Sequence, residues 1–177
     1  IYCGRTRIVS ESGHFEGYSP IMGKPPSFKN AIFQSLAGGN TMVLNASAME
    51  LLRKVSQNAR FVSHDWWSYI WVAGVNGVVV YDPIPKIDYR QHSGNLIGKN
   101  SGLSTRINRA AMLLTDRYHS WIELNLSAIK QIIEFLTPGN RIFLDGVLKA
   151  RDQSGIEFAR ELAREKVYRQ SKLGTIS

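Results

Sequence analysis

The spacing of apolar residues changes character near position 103 of this 177-residue chain. Before it, short β-branched stretches alternate with helical ones. The stretch from Ile1 to Ser10 predicts a strand, Glu11-Ser12-Gly13 a turn, and the residues up to Pro20 a second extended piece. After the punctuation of Lys24-Pro25-Pro26-Ser27, the spacing of Phe28, Ile32, Phe33 and Leu36 predicts a helix that stops at Gly38-Gly39. Asn40 to Asn45 predicts a short strand, and Ala46 to Val55 a helix with Met49, Leu52 and Val55 inward. Ser63 is placed to cap a helix that begins at His64-Asp65, carries Trp66, Trp67, Ile70 and Trp71, and ends near Gly74. Gly77–Tyr81 and Ile84–Tyr89 predict two strands separated by Asp82-Pro83, followed by a loop from His92 to Gly102.

From Leu103 onward the period is that of helices alone. Ile107, Ala110, Leu114 and Tyr118, with Trp121, outline one amphipathic helix. Leu126, Ile129, Ile132, Ile133 and Leu136 outline a second, with Pro138-Gly139-Asn140 as its stop. Arg141–Lys149 and Gly155–Gln170 predict further helical stretches. The fold class expected is therefore α/β up to about residue 100 and a helical C-terminal region from 101 to 177. There are no internal repeats and no low-complexity segments.

Composition narrows this picture only slightly. The length suits one domain with a sizeable core, and 44% hydrophobic with 20% charged residues is ordinary for a globular chain. The single cysteine, Cys3, rules out an internal disulfide and reads as a small buried apolar residue. No run of ~18 apolar residues is long enough to span a bilayer. The chain opens on Ile1, directly in a strand-like stretch, and is read as the cut edge of a longer protein. A net charge of +8 favours an anionic partner such as a phosphorylated substrate, nucleic acid or an anionic membrane face. The basic residues are scattered, however, and Arg160, Glu161, Arg164, Glu165 and Lys166 alternate in sign as on a solvated helix face.

Three clusters carry candidate chemistry. In Gly38-Gly39-Asn40-Thr41 the glycines allow close backbone approach, and Asn and Thr supply directional hydrogen bonds; a structural turn before a strand is the other reading. In His64-Asp65-Trp66-Trp67 a carboxylate at a helix start among aromatic rings suits a general base, and flat rings suit the C–H faces of sugars. An acidic first-turn residue followed by core tryptophans is the alternative. In Tyr89-Arg90-Gln91-His92-Ser93-Gly94-Asn95, at a strand end, Arg suits a diphosphate and His a phosphate or a divalent metal; a solvated loop histidine is the plainer reading. His14 and His119 have no such neighbours.

In their order, GGNTMVLN, HDWW, a Tyr-Asp-Pro strand region and YRQHSGNLIG, these clusters resemble family 2 glycosyltransferases of the rhamnosyltransferase-like group. The likeness covers about Ile1 to Gly98. It implies a partial Rossmann-like, GT-A type nucleotide-diphospho-sugar transferase fold, with residues 1–100 as the C-terminal half of the catalytic domain and 101–177 as a helical extension. By that resemblance Asp65 is the catalytic base of an inverting transfer of a sugar, rhamnose by analogy, from a nucleotide-sugar donor to a saccharide or lipid-linked saccharide of the cell envelope. Arg90, His92 and Asn95 would hold the donor diphosphate, with His92 also at an Mg2+ or Mn2+ ion. Gly39, Asn40, Thr41, His64, Trp66 and Trp67 would line the sugar or acceptor site; Asn40 stands where relatives often carry Cys.

The acidic metal motif and the βαβ donor half of such enzymes are absent from this sequence. Asp82, Asp88, Asp116, Asp145 and Asp152 lie in other contexts, so the 177 residues alone are expected to be inactive. The setting implied is cytoplasmic, at the inner face of the plasma membrane, with peripheral membrane contact and a homo-oligomer left open. Two readings from other classes stand beside it: a basic nucleic-acid-binding module, disfavoured by the acid in HDWW, and a membrane-surface module built on the helical tail.

Overall fold

The computed structural model describes residues 1–54, 59–91 and 116–170. It is a mixed α/β structure in which a three-stranded sheet packs against helices and the C-terminal region is helical. Strands β1 (Tyr2–Val9), β2 (Phe15–Tyr18) and β3 (Val80–Arg90) lie in the order β2-β1-β3. β1 pairs antiparallel with β2 through the predicted turn, and parallel with β3. The parallel pair needs a long connection, and residues 19 to 79 provide it with helices α1 (Phe28–Ala31), α2 (Ala46–Arg53) and α3 (His64–Gly74).

α3 fills the interior. Trp66 to Gly74 are all buried, with Tyr69, Ile70 and Trp71 fully so, which is why its sequence is apolar on every side rather than on one stripe. Two of its polar side chains are bonded inside, whereas the buried Trp67 Nε1 has no partner among the described residues. Trp71 Nε1 donates to Leu51 O at 2.9 Å, and the Tyr69 hydroxyl donates to Asn30 Oδ1 at 3.0 Å. Helix α4 (Asp116–Ile129) covers α3 with Ile122, Leu126 and Ile129, and runs on as a 3-10 turn over Lys130–Phe135. Helices α5 (Pro138–Gln153) and α6 (Gly155–Arg164) follow. One core joins both sides of residue 100: Cys3, Phe28 and Trp66 belong to the same cluster as Leu126, Phe143 and Leu162.

Several expected elements come out differently. The Asn40–Asn45 strand is instead a 3-10 turn, Gly39–Thr41, followed by a single bridge between Tyr2 and Val43. The two strands expected around Asp82-Pro83 are one strand. Its register against β1 jumps from Gly4–Asp82 to Thr6–Ile87, so the segment holding Pro83 and Pro85 bulges out, as residues without an N–H must. The Phe28–Leu36 helix stops at Ala31. Beyond it Phe33 N turns to Asn30 O, three residues back rather than four, and Phe33 O accepts instead from the Tyr118 hydroxyl at 2.6 Å and from Arg169 at 2.5 Å.

The largest reversal is at Pro138. It starts α5 rather than ending its predecessor, because Thr137 caps the helix and proline suits the first helical position. The helix expected to end at Leu136 is the last part of α4 and its 3-10 continuation, and the part of its predecessor from 107 to 115 lies outside the described residues. Finally, α6 ends at Arg164, not Gln170. Lys166 turns with φ +52°, and the chain then crosses α1, where Lys29 Nζ bonds Glu165 at 2.8 Å and Asn30 Nδ2 bonds Tyr168 O at 3.1 Å.

Candidate functional site

Two of the three clusters meet. Asp65 stands in the first turn of α3 and is half-buried. Its Oδ2 accepts the backbone N–H of Gly39 at 3.1 Å, across 26 positions of sequence. Its Oδ1 accepts the N–H of Trp66 at 2.7 Å and the hydroxyl of Ser63. Ser63 has the extended backbone of a helix cap, yet its side chain makes no capping bond because it serves Asp65 instead. The sequence reading placed Ser63 only as a cap; a serine two positions before the acid was the one available sign of this second role.

The turn that presents Gly39 is built locally and then tied to the sheet. Thr41 N and Oγ1 both donate to Gly38 O at 2.9 Å, and Thr41 Oγ1 accepts from Gly4 N at 3.4 Å. Thr41 is therefore buried and occupied, a brace rather than an open lining group. Asn40 is exposed at the tip of the turn. The exposed His64 ring lies directly over Gly39: a Cβ there would sit 2.3 Å from His64 Nε2. A side chain at Gly39 would have to displace this ring.

The two tryptophans are not open to a sugar. Trp66 is 5% exposed, donates from Nε1 to Ala31 O at 2.6 Å and meets Trp121 edge to face. Trp67 is 2% exposed and stacks on Phe61 with ring centroids 5.3 Å apart. Both rings are spent in the core, which corrects the expectation that they flank the acceptor.

Arg90 is set apart from this group. It ends β3, pairs with Val9, and donates from Nη1 to Glu11 O in the β1–β2 turn at 2.8 Å. Val9 lies five positions beyond the Gly4 that meets Thr41, roughly 16 Å of strand. The described residues thus do not bring Arg90 to Asp65; His92 and Asn95 lie outside the described residues. Cavities of about 370 Å3, between α5 and α6, and about 260 Å3, between the start of α1 and the end of α3, are lined by neither Asp65 nor Arg90. Among the described residues no group of three or more His, Cys, Asp or Glu could hold a metal, so these residues do not fit the implied Mg2+ or Mn2+ by themselves. Nor, among them, is any helix long and apolar enough to cross a membrane.

Charges elsewhere are paired at the surface. Arg7 forks onto Asp88 through two 2.7 Å bonds and holds that carboxyl below its ordinary range. The Tyr2 hydroxyl, donating at 2.6 Å, lowers Asp82 in the same sense. Burial pushes the Cys3 thiol up to about 11, as suits an inert core residue. Comparisons of the chain with protein-family models, with curated proteins and with solved structures find no match.

Proposed function

We propose that this chain is the acceptor-side part of an inverting, nucleotide-sugar-dependent glycosyltransferase of family 2, rhamnosyltransferase-like, with Asp65 as general base. The observation that carries the reading is the bond between Gly39 N–H and Asp65 Oδ2. It joins the two sequence clusters that the resemblance assigns to one site, and leaves the acid half-exposed beside the exposed groups of Asn40 and His64. Those are polar, directional neighbours of the kind a hydroxyl-rich acceptor requires.

In this mechanism Asp65 takes the proton of the acceptor hydroxyl as its oxygen attacks the anomeric carbon. The bond from that carbon to the diphosphate breaks, the diphosphate leaves with the electron pair, and the configuration inverts. Arg90, His92 and Asn95 would hold the donor diphosphate, and a divalent cation at His92 would help to offset its charge. The partial GT-A fold belongs to the same proposal. Apolar surface is left open along the edge strand β3, where Val80 and Ile84 are 47% and 61% exposed, with Val78 before it at 76%. The cell-envelope acceptor and the cytoplasmic, membrane-associated setting are inherited from the resemblance.

The test is the full-length transferase chain, assayed for sugar transfer as wild type and as Asp65→Asn. Loss of a general base lowers the rate by about 10²–10⁴-fold. Equal turnover by the two proteins removes Asp65 and, with it, this function.

A further inference from the structure

The hydrogen bonds around Asp65 distinguish its two oxygens. An ionised carboxylate offers about four lone-pair positions, two on each oxygen. Oδ1 has both engaged, by the Ser63 hydroxyl and Trp66 N–H, while Oδ2 has one engaged, by Gly39 N–H. Among the described residues one position is left, and it is on Oδ2. Ser63 gives up its own helix-capping bond to complete this arrangement. The donors also come from independent pieces of chain: the residues flanking Asp65 hold Oδ1, and the 3-10 turn braced on β1 holds Oδ2.

We infer that Asp65 Oδ2 is the atom that receives the proton, and that Ser63 and Gly39 are positioning residues that aim its remaining lone pair. This assignment rests on the transferase reading above. Ser63 acts by locking rotation of the carboxylate through Oδ1. Gly39 acts twice: its N–H fixes Oδ2, and its missing Cβ lets the His64 ring lie at the same spot. Acceptor contacts are left intact when Ser63 is changed, so its effect falls on the chemical step rather than on binding.

Two arms test this. In the 177-residue chain, amide hydrogen exchange of Gly39 read by NMR is expected to quicken in Asp65→Ala; an unchanged rate overturns the geometry without reference to any activity. In the full-length chain, Ser63→Ala is expected to lower kcat by about 10- to 100-fold at an unaltered acceptor KM, and Ser63→Thr, which restores the hydroxyl, to recover most of it. Gly39→Ala keeps the N–H and moves only His64, whereas Gly39→Pro removes the donor as well; a larger loss of kcat in the proline variant is expected. Wild-type kcat in both Ser63→Ala and Gly39→Pro, with Asp65→Asn inactive, overturns the positioning role and spares the base. Full activity of Asp65→Asn, or no turnover by the wild type, removes the transferase reading and this assignment together.

Discussion

α3 and β3 each carry one of the motifs that the sequence likeness joins into a site, and they are built in opposite ways. α3 is buried from Trp66 to Gly74, and only its first turn, with His64 and Asp65, reaches the surface. β3 is exposed along most of its length, interrupted by a proline-bearing bulge, and ends in Arg90. The rigid element therefore holds its functional group by packing and by hydrogen bonds from distant chain. The strand holds Arg90 by its pairing with β1 and by Glu11 O in a surface turn. A group that must be aimed is better served by the first arrangement, and the contrast favours Asp65 over Arg90 as the fixed point of the site.

Breaking the packing of α3 is expected to have the largest effect on stability. Trp71 is fully buried, bonded to Leu51 O and in edge-to-face contact with Phe135. Trp71→Ala should cost about 3–5 kcal/mol, as truncation of a large core aromatic does, read as a fall in the urea midpoint. A loss below about 1 kcal/mol, the range of surface changes, would show that α3 is not the keystone described here.

The corresponding change on β3 is expected to be small. Arg90→Ala should leave stability within about 0.5 kcal/mol, as for surface substitutions, and, on the proposed function, should weaken binding of a nucleoside diphosphate in calorimetry. Unaltered binding would remove Arg90 from the donor site while leaving Asp65 untouched.

The strand between these two elements offers a milder probe. Cys3, on the inner face of β1, is buried with its thiol pushed up to about 11, so iodoacetamide at neutral pH should label it only after unfolding. Rapid labelling of the native chain would mean that the sheet opens at its Gly4 end.

The smallest expected effect is electrostatic. Because Arg7 lowers the Asp88 carboxyl in the folded chain, its contribution is fully present above the unfolded value of about 4. It fades as pH falls through the lower folded value. Both side chains are about half exposed, so the contribution is slight. The difference in urea midpoint between wild type and Arg7→Leu should shrink from pH 6 to pH 2.5. A difference that widens on acidification reverses the sign argued here.

Legibility of this molecule in its sequence divides by range of interaction. The α3 boundaries were readable, because Ser63, Asp65 and the apolar run to Gly74 are local signals. So was the β1–β2 hairpin, with Glu11-Ser12-Gly13 between its strands. The candidate acid could be picked out by its position at the helix start. Its partner Gly39 could be listed as a cluster member but not as a donor to it. Ser63 does hold the expected cap position, but its hydroxyl goes to Asp65, and a cap and a carboxylate clamp look identical in sequence.

Apolar periodicity, glycine and capping residues by themselves determined which segments are helical, that a mixed α/β part precedes a helical one, and that Asp65 starts a helix. Only the tertiary structure decided the rest. It fused two expected strands into a bulged β3, and ended α1 at Ala31, with Phe33 O given to Tyr118 and Arg169. It turned Pro138 from a stop into a start, buried Trp66 and Trp67, and brought Gly39 to Asp65 but not Arg90. The reason is physical: propensity and period act within a few residues, whereas the choice of a backbone group's partner, and of which aromatic faces stay open, is made by whatever chain packs alongside.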